Sequence, residues 1–132
     1  MTVGKNEFSP RVLVVEDDWA VRECLVFALV DEGFQVTSAK DGVHALEMLS
    51  GQAFDIILSD NRMPRMSGLT LYESVRRIYG PVPFVLFSAH IAEADLPEDI
   101  VFVPKPVPPT QIIQTIRGIL AEGISGSGGH AD

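Results

Sequence analysis

The sequence predicts an α/β domain: a doubly wound, five-stranded parallel sheet of order 2-1-3-4-5, helices on both faces, and the helix of the fourth crossover short or absent. Three observations carry this prediction. Five short apolar runs alternate with segments of helical periodicity, the pattern of a parallel sheet covered on both faces. The 132 residues are one domain's length, enough for a single core between two helical layers. Three of the runs end in chemistry-bearing residues, which in such a sheet gather at the carboxyl edge.

The first strand is expected near Arg11 to Val15 and the second from Gln35 to Ala39. Between them a helix should run from about Trp19 to Glu32, because Val21, Cys24, Leu25, Ala28 and Leu29 recur at helical spacing. Asp18 suits its N-cap and Gly33 its end. Asp41-Gly42 turns the chain into a second helix, with Val43, Leu46 and Leu49 as its stripe and an end near Gly51. The third strand spans Asp55 to Ser59, and a third helix spans Gly68 to Tyr79 with Leu69, Tyr72, Val75 and Arg76 at helical intervals.

Strands four and five are read at Phe84 to Phe87 and Ile100 to Val103. Ile91 to Leu96 runs straight into Pro97, so a helix there is limited to about two turns. Pro108 or Pro109 opens a last helix, turning Ile112, Ile113, Ile116 and Leu120 inward. Residues 1–9 form an N-terminal extension, 10–121 the domain, and 122–132 a Gly/Ser-rich tail expected to be flexible.

A formal charge of −8 and the lack of any basic run argue against binding to a nucleic-acid backbone, which needs Lys and Arg to displace counterions. No apolar stretch reaches membrane-spanning length. The N-terminus lacks a secretory core and the one cysteine, Cys24, has no internal partner, so a cytoplasmic location is expected.

The strand tips point to function. Val12-Leu13-Val14-Val15 ends in Glu16-Asp17-Asp18, the third run ends at Asp60, and Val101-Phe102-Val103-Pro104 ends in Lys105. Carboxylates forced together repel, so the cluster must take up a proton or a cation. All-oxygen ligands without His or Cys favour Mg²⁺ over zinc.

These tips, with Lys40-Asp41-Gly42-Val43-His44-Ala45-Leu46, Ser59-Asp60-Asn61-Arg62-Met63-Pro64 with Gly68, Ser88-Ala89 and Lys105-Pro106, resemble the receiver domain of two-component response regulators over about residues 10 to 121. The resemblance implies a flavodoxin-like receiver fold. It makes Asp60 the phospho-acceptor, served by a sensor histidine kinase or a histidine phosphotransfer protein. It implies Mg²⁺ held by Asp17, Asp60 and the Arg62 backbone carbonyl, with Glu16 acting through water. Lys105 and Ser88 would contact the phosphoryl oxygens, Lys105-Pro106 would be cis, and Phe102 would rotate inward as the aromatic switch behind Ser88. Such a chain modifies itself and is not a turnover enzyme.

Other residues have plainer readings. Ser59, Ser67 and Ser74 read as turn or surface hydroxyls, Cys24 as a small core residue, and Trp19 as a partly exposed residue at the helix start. Arg62 and His90 border the expected phosphate and are candidates for controlling its hydrolysis. The face carrying Val26 and Val30 is a candidate kinase-docking surface. With 17 positions from Ser88 to Lys105, the fourth crossover lacks room for a full helix, so dimerisation through that face is in doubt and a monomer or weak dimer is expected. No output domain is visible, so the expected roles are binding another protein or acting as a phosphate shuttle or sink; the downstream target is not legible. A haloacid-dehalogenase-type phosphatase needs its nucleophile on the first strand with a second acid two residues on, where this chain has Asp60 on the third strand followed by Arg62. A flavodoxin-like cofactor binder needs a phosphate loop where Glu16-Asp17-Asp18 stands.

Overall fold

The computed structural model describes residues 9–89 and 96–129, with side chains described as far as Glu122. Its elements are β1 (Arg11–Val15), α1 (Trp19–Asp31), β2 (Gln35–Ala39), α2 (Gly42–Gly51), β3 (Ile56–Asp60), α3 (Gly68–Tyr79), β4 (Phe84–Ser88), β5 (Ile100–Pro104) and α4 (Pro109–Gly129). All strand pairs are parallel, in the order β2-β1-β3-β4-β5. The expected topology is the observed one. Residues 89 to 99 join β4 to β5, and no helix occurs among those described there.

The central strands are apolar along most of their length because both faces are covered; the exceptions are Arg11 at the start of β1 and Ser59, Asp60 and Ser88 at the carboxyl ends of β3 and β4. Side chains alternate across the sheet. Val12, Val14, Ile56, Leu58, Val85 and Phe87 face α1 and α4, where Leu25, Leu29, Ile112 and Ile116 complete one core. Leu13, Val15, Ile57, Phe84 and Leu86 face α2 and α3 and pack on Ala45, Leu49, Leu71, Tyr72 and Val75.

The helical stripes differ in detail from those expected. In α1 the buried residues are Leu25 and Leu29, whereas Val21 and Cys24 are exposed. At about 100° per residue, Cys24 lies roughly 120° from the direction midway between Leu25 and Leu29, so it cannot share their contact. The core reading of Cys24 is therefore corrected. In α2, Ala45 and Leu49 are buried and Val43 and Leu46 half-buried. In α3 the inward line runs through Gly68, Leu71, Tyr72 and Val75; Leu69 sits one step aside and Arg76 faces out to pair with Asp99.

Capping follows the sequence. Asp18 accepts from Val21 N at 3.1 Å and Asp41 from His44 N at 2.8 Å. Two of the three serines read as turn or surface hydroxyls are corrected, Ser59 and Ser74, while Ser67 is the loop residue before α3. Ser59 is fully buried in β3, Ser74 is buried in α3, and Ser67 caps α3 by accepting from Thr70 N at 3.1 Å. Ser59 escapes an unsatisfied burial because its hydroxyl donates to Asp60 O at 2.7 Å.

The backbone of α4 stays helical to Gly129, past the end expected near residue 121. No helix among the described residues is long and apolar enough to cross a membrane.

Candidate functional site

The carboxyl ends of β1, β3, β4 and β5 bring Glu16, Asp60, Ser88 and Lys105 together. Asp60 is the last residue of β3, one position further into the strand than the sequence suggests, and it is buried. The following loop can turn sharply because Gly68 sits directly against it. A Cβ there would meet Asp60 O at 2.3 Å and Leu86 Cδ1 at 2.7 Å, so only glycine allows this approach. Gly68 N and Leu69 N then donate to Asn61 O and Asn61 Oδ1, at 2.9 and 3.0 Å.

The acid pair on β1 divides into one buried and one exposed member. Glu16 is 1% exposed, and Asp17 is open to solvent. The backbone of this tip is held by Glu16 N donating to Ala39 O at 3.1 Å and Arg22 Nη1 donating to Glu16 O at 2.8 Å. Glu16 Oε2 accepts from Asp18 N at 3.0 Å, while Glu16 Oε1 accepts no hydrogen bond among the described residues.

Lys105 places its ammonium 3.5 Å from Glu16 Oε1 and 3.5 Å from Asp60 Oδ1. The same ammonium lies 4.9 Å from the centre of the Phe87 ring. Its backbone N donates to Ser88 O at 3.0 Å, and the Lys105-Pro106 bond is cis, as the resemblance implies. The Asp60 carboxylate also accepts from Asn61 N at 2.7 Å.

The electrostatics are unbalanced. Glu16, Asp17 and Asp60 each offer a carboxylate oxygen within 4.8 Å of the others, against the single ammonium of Lys105. Burial, helped by the charge of Asp60 and the hydrogen bond with Asp17, pushes the Glu16 carboxyl up to about 7; the Asp18 amide and Lys105 oppose this only partly. A buried oxygen without a donor and a carboxyl driven towards neutrality both mark a place for a cation. Three carboxylates and no nitrogen or sulfur ligand suit a hard divalent ion such as Mg²⁺.

Ser88 is 1% exposed and its hydroxyl has no partner among the described residues. Phe102 is half-buried and packs with the α2/α3 core, as do Phe84 and Leu86. Leu86 pairs with Phe102 and Ser88 with Pro104, so by alternation Ser88 and Phe102 lie on the same face of the sheet. Arg62 is exposed in the loop two residues after Asp60, and Trp19 is 68% exposed at the start of α1. His90 lies outside the described residues.

Several contributors carry no role in the sequence reading: Asn61 as the organiser of the loop, Arg22 as the fastener of the β1 tip, Phe87 beneath the ammonium, and Arg65 with Asp41. Asn61 stands within a quoted motif and so had a signal. Arg65 had none, since its partner lies 24 residues away.

The comparisons agree with this geometry. The family model of the response regulator receiver domain matches residues 12–117. The transcriptional activator protein PfeR of Pseudomonas aeruginosa is 42% identical over 104 residues, 70% of this chain and 34% of PfeR. The sensor kinase CckA of Brucella abortus is 38% identical over 119 residues, 85% of this chain and 13% of CckA. The chain thus spans 34% and 13% of the length of these two relatives. Among solved structures, the chemotaxis response regulator CheY4 of Vibrio cholerae aligns with a TM-score of 0.78 at 26% identity, covering 84% of this chain and 98% of CheY4. Nothing supports the phosphatase alternative. The match over most of the chain, the strand order and the clustered tips together identify it as a member of the response regulator receiver domain family.

Proposed function

We propose that Asp60 accepts a phosphoryl group from a sensor histidine kinase or a histidine phosphotransfer protein, and that the resulting aspartyl phosphate switches a protein–protein interaction. The observation that carries this reading is the Asp60 carboxylate, buried at a strand tip, sharing the Lys105 ammonium with Glu16 and clustered with Asp17. One Asp60 oxygen forms the new P–O bond as the P–N bond to the donor imidazole breaks. The imidazole leaves with the electron pair and takes up a proton, and a mixed anhydride remains.

Asp17, Asp60 and the Arg62 carbonyl would hold Mg²⁺, with Glu16 acting through water. Bound there, the ion supplies positive charge to the phosphoryl oxygens as they gather charge. Lys105 supplies a second, movable positive charge. Ser88, buried with a hydroxyl that has no partner among the described residues, is the donor held in reserve for a phosphoryl oxygen, and Phe102 on the same sheet face is the side chain that follows it. Arg62, exposed beside the acceptor, is a candidate for limiting the access of water.

The crossover between β4 and β5 has room for only a short helix, which supports a monomer or weak dimer. The relatives include both an activator and a sensor kinase, so direct output and a phosphate shuttle or sink are both compatible with the chain. A cytoplasmic site of action accords with the proposed kinase or phosphotransfer donor and with a single cysteine that has no internal partner.

The test is incubation with a small phosphodonor and Mg²⁺, followed by intact mass. Wild type should gain one phosphoryl group; Asp60→Asn, or wild type with a chelator, should gain none. Uptake by Asp60→Asn at the wild-type level would end the acceptor reading. Return of phosphate to a phosphotransfer histidine would then separate shuttle from direct output.

A further inference from the structure

The loop from Asn61 to Ser67 joins β3 to α3, and the reading above asks it to present the Arg62 carbonyl. Its base is closed through Asn61, as described, but its crown is held by α2. Arg65, at φ 70° the non-glycine residue with positive φ among those described, sends its guanidinium to the Asp41 carboxylate. Asp41 is 4% exposed and at the same time caps α2 through the His44 amide. Beside this pair Met66 lies on Gly42, so close that a Cβ on Gly42 would meet Met66 Sδ at 2.6 Å.

An arginine does not choose the left-handed region by itself, because its Cβ crowds the following carbonyl. The ion pair on one side and the Met66 contact on the other hold it there. Two fixed points result, Asn61 with Gly68 at the base and Arg65 at the crown, and Arg62 lies between them.

We infer that Asp41 and Arg65 form a clasp that sets the β3–α3 loop and so positions the Arg62 backbone for cation binding. Both are then positioning residues for phosphoryl transfer, although neither belongs to the carboxylate cluster. The inference rests on the proposed role of Asp60 and Arg62.

The experiment is calorimetric titration of Mg²⁺ into wild type, Arg65→Gly, Asp41→Asn and the double variant, with melting temperatures and amide exchange measured alongside. Glycine suits the positive φ, and asparagine caps a helix about as well as aspartate, so each single change removes the pair while sparing the fold. Melting temperatures should stay within about 4 °C of wild type. Mg²⁺ affinity should fall about tenfold in each single variant, the lower end of what losing an outer partner costs a metal site. It should fall no further in the double variant, because the pair is already broken. Amides of Arg62, Met63, residue 65 and Met66 should exchange faster in all three variants, while the His44 amide stays protected.

Equal Mg²⁺ affinity in all four proteins would overturn the clasp and leave the acceptor reading standing. Losses that add in the double variant, or that track an equal loss of melting temperature, would also overturn it. Absence of Mg²⁺ binding by wild type would remove the reading beneath it as well.

Discussion

Glu16 and Asp41 are two buried carboxylates near the ends of neighbouring strands, and their surroundings treat them in opposite ways. Burial raises the Asp41 carboxyl, but the Arg65 hydrogen bond, the His44 amide and the charges of Arg65 and Lys40 outweigh it, and the net shift is downward. Around Glu16 burial wins, and the carboxyl rises to about 7. Asp41 is complete within the fold, whereas Glu16 Oε1 accepts no hydrogen bond among the described residues and faces only the shared Lys105 ammonium at 3.5 Å. Burial alone therefore does not distinguish a structural acid from a functional one; the unfilled partner does.

The largest expected effect comes from deepening the imbalance around Glu16. Lys105→Ala removes the ammonium shared by Glu16 and Asp60 and, on the proposed function, a positive charge from the phosphoryl oxygens. Phosphorylation by a small donor should slow roughly 100-fold, the scale expected when one preorganised charge-stabilising group is lost. A rate within twofold of wild type would show that Lys105 acts only structurally.

Glu16→Gln should reverse the imbalance. In metal-free protein the folded-state value near 7 exceeds the ordinary 4.5, so Glu16 contributes stability below about pH 4.5 that is lost as pH rises through 7. Metal-free wild type should therefore lose up to about 3 kcal/mol relative to Glu16→Gln between those limits. Denaturant melts in chelator across pH 4 to 8, chosen as roughly this window, measure the difference. Parallel curves for the two proteins would refute the account of Glu16.

Asp41 should show the opposite slope. Its folded value is depressed, so its contribution is present above the unfolded carboxyl range and lost as pH falls through the folded value. Asp41→Ala removes the cap and the Arg65 pair together and should cost about 1 to 2 kcal/mol at neutral pH, a difference that shrinks in acid. A constant difference between the two proteins down to strongly acid pH would mean that the charge of Asp41 contributes nothing.

The same contrast explains what the sequence discloses. Topology, the strand tips and the two Asp caps are legible because they depend on local order: apolar runs, a polar residue before each helix, and acids directly after strands. Burial of Ser59 and exposure of Cys24 are not legible, since they depend on which side of an element meets the core. The Arg65 pairing with Asp41 depends on two loops meeting in space, and no periodicity encodes it. In the site, the clustering of Glu16, Asp60 and Lys105 at the strand tips is legible through their motifs, but the contacts of Arg22, Phe87 and Arg65 around them are not.

The smallest expected effect tests whether a completed polar contact at the surface matters at all. Tyr72, on α3, rests its ring edge on Phe84 with centroids 5.4 Å apart and donates its hydroxyl to Asp99, which also pairs with Arg76. Asp99 immediately precedes β5, so this contact ties α3 to the end of the fourth crossover. Tyr72→Phe keeps the ring packing and removes only the hydroxyl. Asp99 is about half exposed and keeps Arg76, so water can replace the lost donor. The cost should be about 0.5 to 1 kcal/mol, near the net worth of one hydrogen bond. Phosphorylation of Asp60 should be unchanged, because no residue of this contact belongs to the carboxylate cluster. A large change in phosphorylation rate with the small stability loss intact would show that the α3 tie to β5 communicates with the site, and that completeness of a polar contact does not by itself make it structural.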